Sequence, residues 1–175
     1  IGSATWRSIS AGSQHVVAIQ NDWTLWAWGY NNFGQLGTSD NTTYSTPQAV
    51  SGGGTWSRIA AGASHAVAIK SDGSLFAWGH NGNGQLGIGS AVSQNTPQAV
   101  SGGGTWSRIA AGIYHTAAIK SDGTLWTWGG NWNGQLGDGT TTARNIPGTV
   151  IGYDTNWSTV YAGPSITMAV AASRG

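Results

Sequence analysis

The chain contains no cysteine and no glutamate, and only 7% of its 175 residues are charged. Without cysteine there are no disulfides and no thiolate metal centres, and the redox compartment stays undecided. Seven Lys and Arg against six Asp give a net charge of +1. Seven scattered cations cannot build the basic stripe that phosphate recognition requires, so nucleic acid is not an expected partner. No apolar run approaches the ~18 residues of a membrane span, which argues against membrane insertion. No targeting segment is visible, and the first residue is Ile rather than Met. We therefore read the chain as a processed or excised piece.

What the chain has in abundance is tryptophan, eleven in all. Each buried indole removes about 150–250 Å² from water, on the order of 4–6 kcal/mol at about 25 cal/mol per Å². A charge-poor chain so rich in aromatics folds, and this length buries roughly 70% of its unfolded surface. The chain also repeats itself: PQAVSGGGTWSRIAAG stands at 47–62 and again, unchanged, at 97–112. Copies begin at Thr5, Thr55 and Thr105, dividing the chain into 5–54, 55–104, 105–154 and a half copy over 155–175. A repeat of this period is an architectural statement and governs every other reading.

The second copy shows the local logic. Trp56 to Ala61 reads as a short strand halted at Gly62, and His65 to Ile69 as a buried apolar strand. Asp72-Gly73 between two apolar runs is a hairpin signal, because Gly takes positive φ without penalty, and Ser74 to Trp78 is the return strand. NGNGQLG over 81–87 is turn chemistry. PQAV over 97–100 is a strand that Pro suits at a sheet edge. Four short strands per unit, with no helical period anywhere, cannot cover both faces of their own sheet. Side-by-side repetition buries face against face, so the expected class is all-β, a β-propeller of about three and a half four-stranded blades. A solenoid or stacked sandwich is the alternative.

The motifs A-G-x-x-H-x-x-A-I, D-G-x-L-x-x-W-G and N-x-x-G-Q-L-G, recurring three times over nearly the whole chain, resemble the repeats of the regulator of chromosome condensation family, in its bacterial or viral type. The resemblance implies a seven-bladed ring, of which this chain has half. It implies no single activity, since members include a guanine-nucleotide exchange factor, a plant ultraviolet receptor and a β-lactamase inhibitor. The exchange-factor reading calls for a complete ring with an acidic contact surface. The receptor reading calls for a G-W-R-H-T motif, whereas 12–15, 62–65 and 112–115 carry neither Trp nor Arg beside the His. The tryptophans are read as packing.

His15, His65 and His115 recur at one position, which raises a zinc site. The favoured reading is structural: each ring packs beside its glycine bend and bonds backbone within its own blade. Ile166 replaces the histidine in the half copy. No nucleophile elbow, phosphate loop or carboxylate pair appears, so no catalytic residue, metal or cofactor is expected. Positions that differ between copies are the ones free to serve a ligand, and they fall on loops. They give the candidate ligand-binding residues Gln14, Tyr30, Phe33, Tyr44, His80, Tyr114, Trp132 and Arg144. Trp23 joins them, standing where the other copies have the turn glycine.

The expected function is a non-enzymatic binding or assembly module that presents loops to a protein partner. The alternative is a carbohydrate-binding module using loop aromatics with Asn and Asp. The uncharged, Gly-, Ser-, Thr- and Asn-rich surface suggests an extracellular, cell-surface or virion setting. Half a ring leaves open faces and sheet edges that invite association. A homodimer closing the ring is the favoured resolution, with missing repeats from a longer parent chain or closure as four blades as the others.

Overall fold

The computed structural model describes residues 5–152 and 155–172. It contains fourteen strands and, among the described residues, no helix. They are β1 (Trp6–Ala11), β2 (His15–Gln20), β3 (Leu25–Gly29) and β4 (Tyr44–Ala49), then β5 (Trp56–Ala61), β6 (His65–Lys70), β7 (Leu75–Gly79) and β8 (Gln94–Ala99). β9 (Trp106–Ala111), β10 (His115–Lys120), β11 (Leu125–Gly129) and β12 (Arg144–Thr149) follow, and β13 (Trp157–Ala162) with β14 (Thr167–Ala171) ends the chain. Each set of four forms one antiparallel sheet in chain order, and β13–β14 form a two-stranded one. These are three propeller blades and half of a fourth.

Within a blade the first strand is innermost. β1, β5, β9 and β13 touch in succession around the axis, while the fourth strand is the outer edge. That edge carries Pro47, Pro97 or Pro147, which removes a backbone donor where no neighbour would use it. The Asp-Gly hairpins form as their sequence predicts: Gly73 and Gly123 have φ of +84° and +82°, and Asp72 accepts the Ser74 backbone N–H at 2.9 Å.

The core lies between blades rather than within them. Val17, Ile19, Leu25, Ala27, Leu36 and Val50 of the first blade meet Trp56, Ala66, Ala68 and Trp78 of the second. The same arrangement recurs between the second and third. A specific clasp fixes each junction. Trp78 Nε1 donates to the Gln35 carbonyl at 3.0 Å, and Trp128 Nε1 to the Gln85 carbonyl at 2.9 Å. A Cβ on Gly37 or Gly87 would strike that indole, and one on Gly79 or Gly129 would strike the Ser64 or Tyr114 carbonyl and the His65 or His115 α-carbon of its own blade and press on the α-carbon of Gln35 or Gln85 in the blade before. The W-G of one blade thus closes on the Q-L-G of the blade before it, and this accounts for both motifs. Trp78 and Trp128 are fully buried, whereas Trp28, whose blade is the first among the described residues, is only half-buried.

The histidines lie in the core beneath the bends. A Cβ on Gly12, Gly62 or Gly112 would fall on the ring of the histidine three residues later, so the tight bend needs glycine. The polar contact differs from the expected one within a blade: His65 Nε2 meets Thr116 Oγ1 of the next blade at 3.0 Å. That hydroxyl gives its only proton to the Gln85 carbonyl at 2.8 Å. Nε2 of His65 is therefore the donor, and the neutral ring carries its proton there. Among the described residues, no group of three His, Asp or Glu is placed to hold a metal ion.

Candidate functional site

Two loop systems emerge on the same face of the arc. The bend between the first two strands of a blade is tied to the start of its long loop: Tyr30 N–H donates to Gln14 O, His80 to Ser64 O and Gly130 to Tyr114 O, at 2.8, 2.8 and 2.7 Å. The Asp-Gly turns and interblade links occupy the opposite face, where Asn21 N–H meets Thr5 O and Ser71 N–H meets Thr55 O. Strand geometry alone sends alternate connections to opposite rims.

The long loops are rigid because they are internally satisfied. The buried side chains of Asn31, Asn81 and Asn131 accept from the backbone N–H of Leu36, Leu86 and Leu136 at 2.9–3.0 Å. Their amide groups donate forward to carbonyls of Asp40, Ser90 and Thr140. Gln35, Gln85 and Gln135 accept from the N–H two residues earlier. Read from the sequence as turn chemistry, these Asn and Gln residues are the posts on which the variable residues stand.

Those posts present two aromatic pairs. Phe33 of the first blade meets His80 of the second edge-on, ring centroids 4.7 Å apart, and Phe33 remains 40% exposed. Tyr114 and Trp132, from the bend and the long loop of the third blade, make a second edge-to-face pair at 5.7 Å, with Trp132 55% exposed. Such pairs hold about 0.5–1.5 kcal/mol beyond burial, so the rings are held in place. Gln85 Nε2 and His80 Nδ1 lie 2.7 Å apart. An amide nitrogen only donates, so the neutral ring has its proton on Nε2. Burial lowers the pKa of His80, and it meets Phe33 as an uncharged aromatic.

The remaining candidates are placed differently. Gln14 is exposed on the same rim, and Tyr30 is half-buried beside it. The Tyr44 hydroxyl donates to Asp40 Oδ2 at 2.9 Å and braces the first long loop. Arg144 is fully engaged: it lies 3.3 Å from Asp138 and donates to the carbonyls of Thr127 and Gly148. Both serve as internal struts rather than free contact groups. Trp23 lies on the opposite rim with φ of +69°, its ring covered by the Arg7 guanidinium at 3.9 Å.

An arc of four-stranded blades clasped through W-G and Q-L-G, with most of its variable residues on one rim, defines a propeller-repeat protein. The Regulator of chromosome condensation (RCC1) repeat matches residues 24–69, 72–119 and 122–170. The chain belongs to this family. The Ultraviolet-B receptor UVR8 of Arabidopsis thaliana is 36% identical over 48 residues, 27% of this chain and 11% of the receptor. Human WBSCR16 superposes with a TM-score of 0.86 at 24% identity, over 98% of this chain and 46% of that one. Prp20p of Saccharomyces cerevisiae, described for its binding properties to Gsp1p and histones, superposes with a TM-score of 0.86 at 24% identity, over 96% and 44%. The chain thus spans less than half the length of each. None of the three supports the narrowing to a bacterial or viral type.

Proposed function

We propose that the chain is a non-enzymatic recognition scaffold whose Gln14–Tyr30–Phe33–His80–Tyr114–Trp132 rim binds a protein partner. The observation that carries this is the pair of exposed edge-to-face aromatic contacts on loops whose own polar groups are already satisfied. Large rings held in place before contact lose little entropy on binding, and aromatic side chains dominate the energetics of protein interfaces. Protein binding by a relative of the same fold, Prp20p with Gsp1p and histones, is in keeping with it. The non-enzymatic part rests on chemistry. The His65–Thr116 pair looks like a base beside a hydroxyl, but both residues are sealed in the core and the hydroxyl proton is committed to Gln85 O.

The test is affinity capture with the wild-type chain and with a Phe33→Ser/Trp132→Ser double variant, alongside a glycan array. Partners captured by the wild type and lost with the variant, at unchanged melting temperature and with a blank array, support the reading. Array hits that free sugar competes away would replace it with the carbohydrate-binding one.

A further inference from the structure

Two arginines stand on neighbouring innermost strands with no acid to meet them. β1, β5, β9 and β13 follow one another around the axis, and each opens with a tryptophan. Their third residues are Ser8, Arg58, Arg108 and Thr159, which pair in register with Ile19, Ile69, Ile119 and Val170. One level of the axis therefore carries four hydrogen-bond donors, two of them cationic, and no carboxylate. This level lies toward the rim of the Asp-Gly turns, where the Trp56 and Trp106 N–H groups donate to Trp23 O and Gly73 O at 3.0 and 2.9 Å. Ile59 packs in the junction with the first blade and Ala60 in that with the third. Strand alternation thus sends Arg58 toward β9, the strand that carries Arg108. Arg58 is exposed and Arg108 half-buried.

Every other cation among the described residues is occupied. Arg7 covers the Trp23 ring at 3.9 Å. Lys70 lies over Trp56 and Phe76, and Lys120 over Trp106 and Trp126. Arg144 is paired with Asp138. The remaining described acids are occupied too: Asp22, Asp72 and Asp122 by the hydroxyls of their own turns, and Asp40 by Thr38 and Tyr44. Arg108 donates to the Ser107 carbonyl at 2.8 Å, and Arg58 has no hydrogen-bond, ionic or aromatic partner among the described residues. Burial lowers the pKa of Arg58, and Arg108 lowers it further, so the one charge acting on this guanidinium repels it. An oxyanion reverses that sign, since the planar fork of a guanidinium matches two of its oxygens at once.

We propose that Arg58 and Arg108, flanked by the hydroxyls of Ser8 and Thr159, form a binding site for one phosphate monoester on the axis of the arc. Charge decides the class. Two guanidiniums without an acid match a dianion, and a phosphate monoester carries about −1.5 to −2 at about pH 7. Both arginines stand at one level of neighbouring strands, so the charge they match belongs to a single group rather than to two separate carboxylates. A phosphodiester carries one charge only, and two cations are too few for the row of phosphates that a nucleic acid presents. A small phosphate ester and a phosphorylated side chain offer this same chemistry. The site lies away from the aromatic rim, and the inference does not depend on that rim.

The probe is methyl phosphate, titrated into the whole chain at about pH 7.5 and low ionic strength while NMR follows the arginine Nε–H signals. Saturable shifts of the Arg58 and Arg108 signals are expected. Arg58→Gln and Arg108→Gln should each weaken binding at least roughly tenfold, since a charge-assisted pair is lost. Lys120→Gln, whose cation is held over its own indoles, should leave affinity within about twofold. Neither arginine belongs to the interblade core, so both variants should melt at or above the wild-type temperature. Dimethyl phosphate, with one charge fewer, should bind at least roughly tenfold more weakly. A blocked phosphoserine tripeptide separates the two carriers. Binding at least roughly tenfold tighter than methyl phosphate assigns the site to a phosphorylated side chain, and equal binding to a small phosphate ester. Absence of saturable shifts overturns the proposal. So does unchanged affinity in the Arg58→Gln/Arg108→Gln double variant, equal binding of dimethyl phosphate, or tighter binding of succinate than of methyl phosphate.

Discussion

Acid should weaken this fold well before its carboxylates protonate, because its interblade core holds neutral histidines. Burial lowers the pKa of His15 from 6.5 to about 4, opposed by the backbone of His65. Burial lowers that of His65 to about 3, helped by the charges of His15, His115 and His80. Burial lowers His115 as well. In the unfolded chain these groups bind protons below about pH 6.5, while the folded chain refuses them until about pH 4 or 3. The unfolded state therefore takes up more protons through that window, and stability falls as pH falls, by up to about 1.4 kcal/mol per pH unit for each histidine. Between about pH 7.5 and pH 4.5, His15 and His65 each remove about 2.5 kcal/mol, together about 5 kcal/mol of a typical 5–15. Asp22, Asp72 and Asp122 do not confuse the window. The hydroxyls of Thr24, Ser74 and Thr124, and then their backbone N–H groups, hold these carboxyls below 3.8, so their contribution is lost only at lower pH. Urea unfolding followed by tryptophan fluorescence at several pH values measures the slope, and His65→Gln should flatten it. A change under about 1 kcal/mol between about pH 7.5 and 4.5 would refute the reasoning.

Three further outcomes follow from the packing. Trp128→Ala should cost about 3–5 kcal/mol by leaving a cavity and removing one of the two hydrogen bonds on the Gln85 carbonyl, whereas Trp28→Ala, on the open face, should cost well under half of that; denaturant titration compares them directly. Trp23→Gly should raise stability by roughly 1 kcal/mol, since glycine relieves the left-handed strain and only an exposed cation–π contact is lost; the melting temperature reports it. The open ends of the arc, with Ile9 on one and Tyr161, Met168 and Val170 on the other, are large exposed apolar groups. Sedimentation should show the mass rising from 18.0 kDa toward about twice that with concentration, and Ile9→Lys should hold it at the monomer value.

The strand content and the blade were legible because the chain repeats its instructions: Asp-Gly turns, apolar runs of strand length and a fifty-residue period leave few other ways to cover the indoles of the strands. What held the blades together was not legible. Gln35 and Gln85 act through their backbone carbonyls, which no residue type announces, and the partner indoles lie 43 residues further along the chain. The histidines were rightly placed in the core, yet their cross-blade bond depends on a threonine one repeat later that only His65 finds in hydrogen-bond geometry. On the rim, variation between copies pointed to Phe33, His80, Tyr114 and Trp132. Nothing in the sequence could pair Phe33 with His80 across a blade junction, or show that Asp40 occupies Tyr44 and Asp138 occupies Arg144.

The claim on which the rest depends is that each blade hangs on its neighbour through one buried indole N–H. Hydrogen exchange of the eleven indole N–H signals by NMR tests it most directly. Trp78 and Trp128 should exchange at least roughly a hundredfold more slowly than Trp28, which stands at the same place in the first described blade and has no such carbonyl to donate to among the described residues. Equal exchange of the three would contradict it.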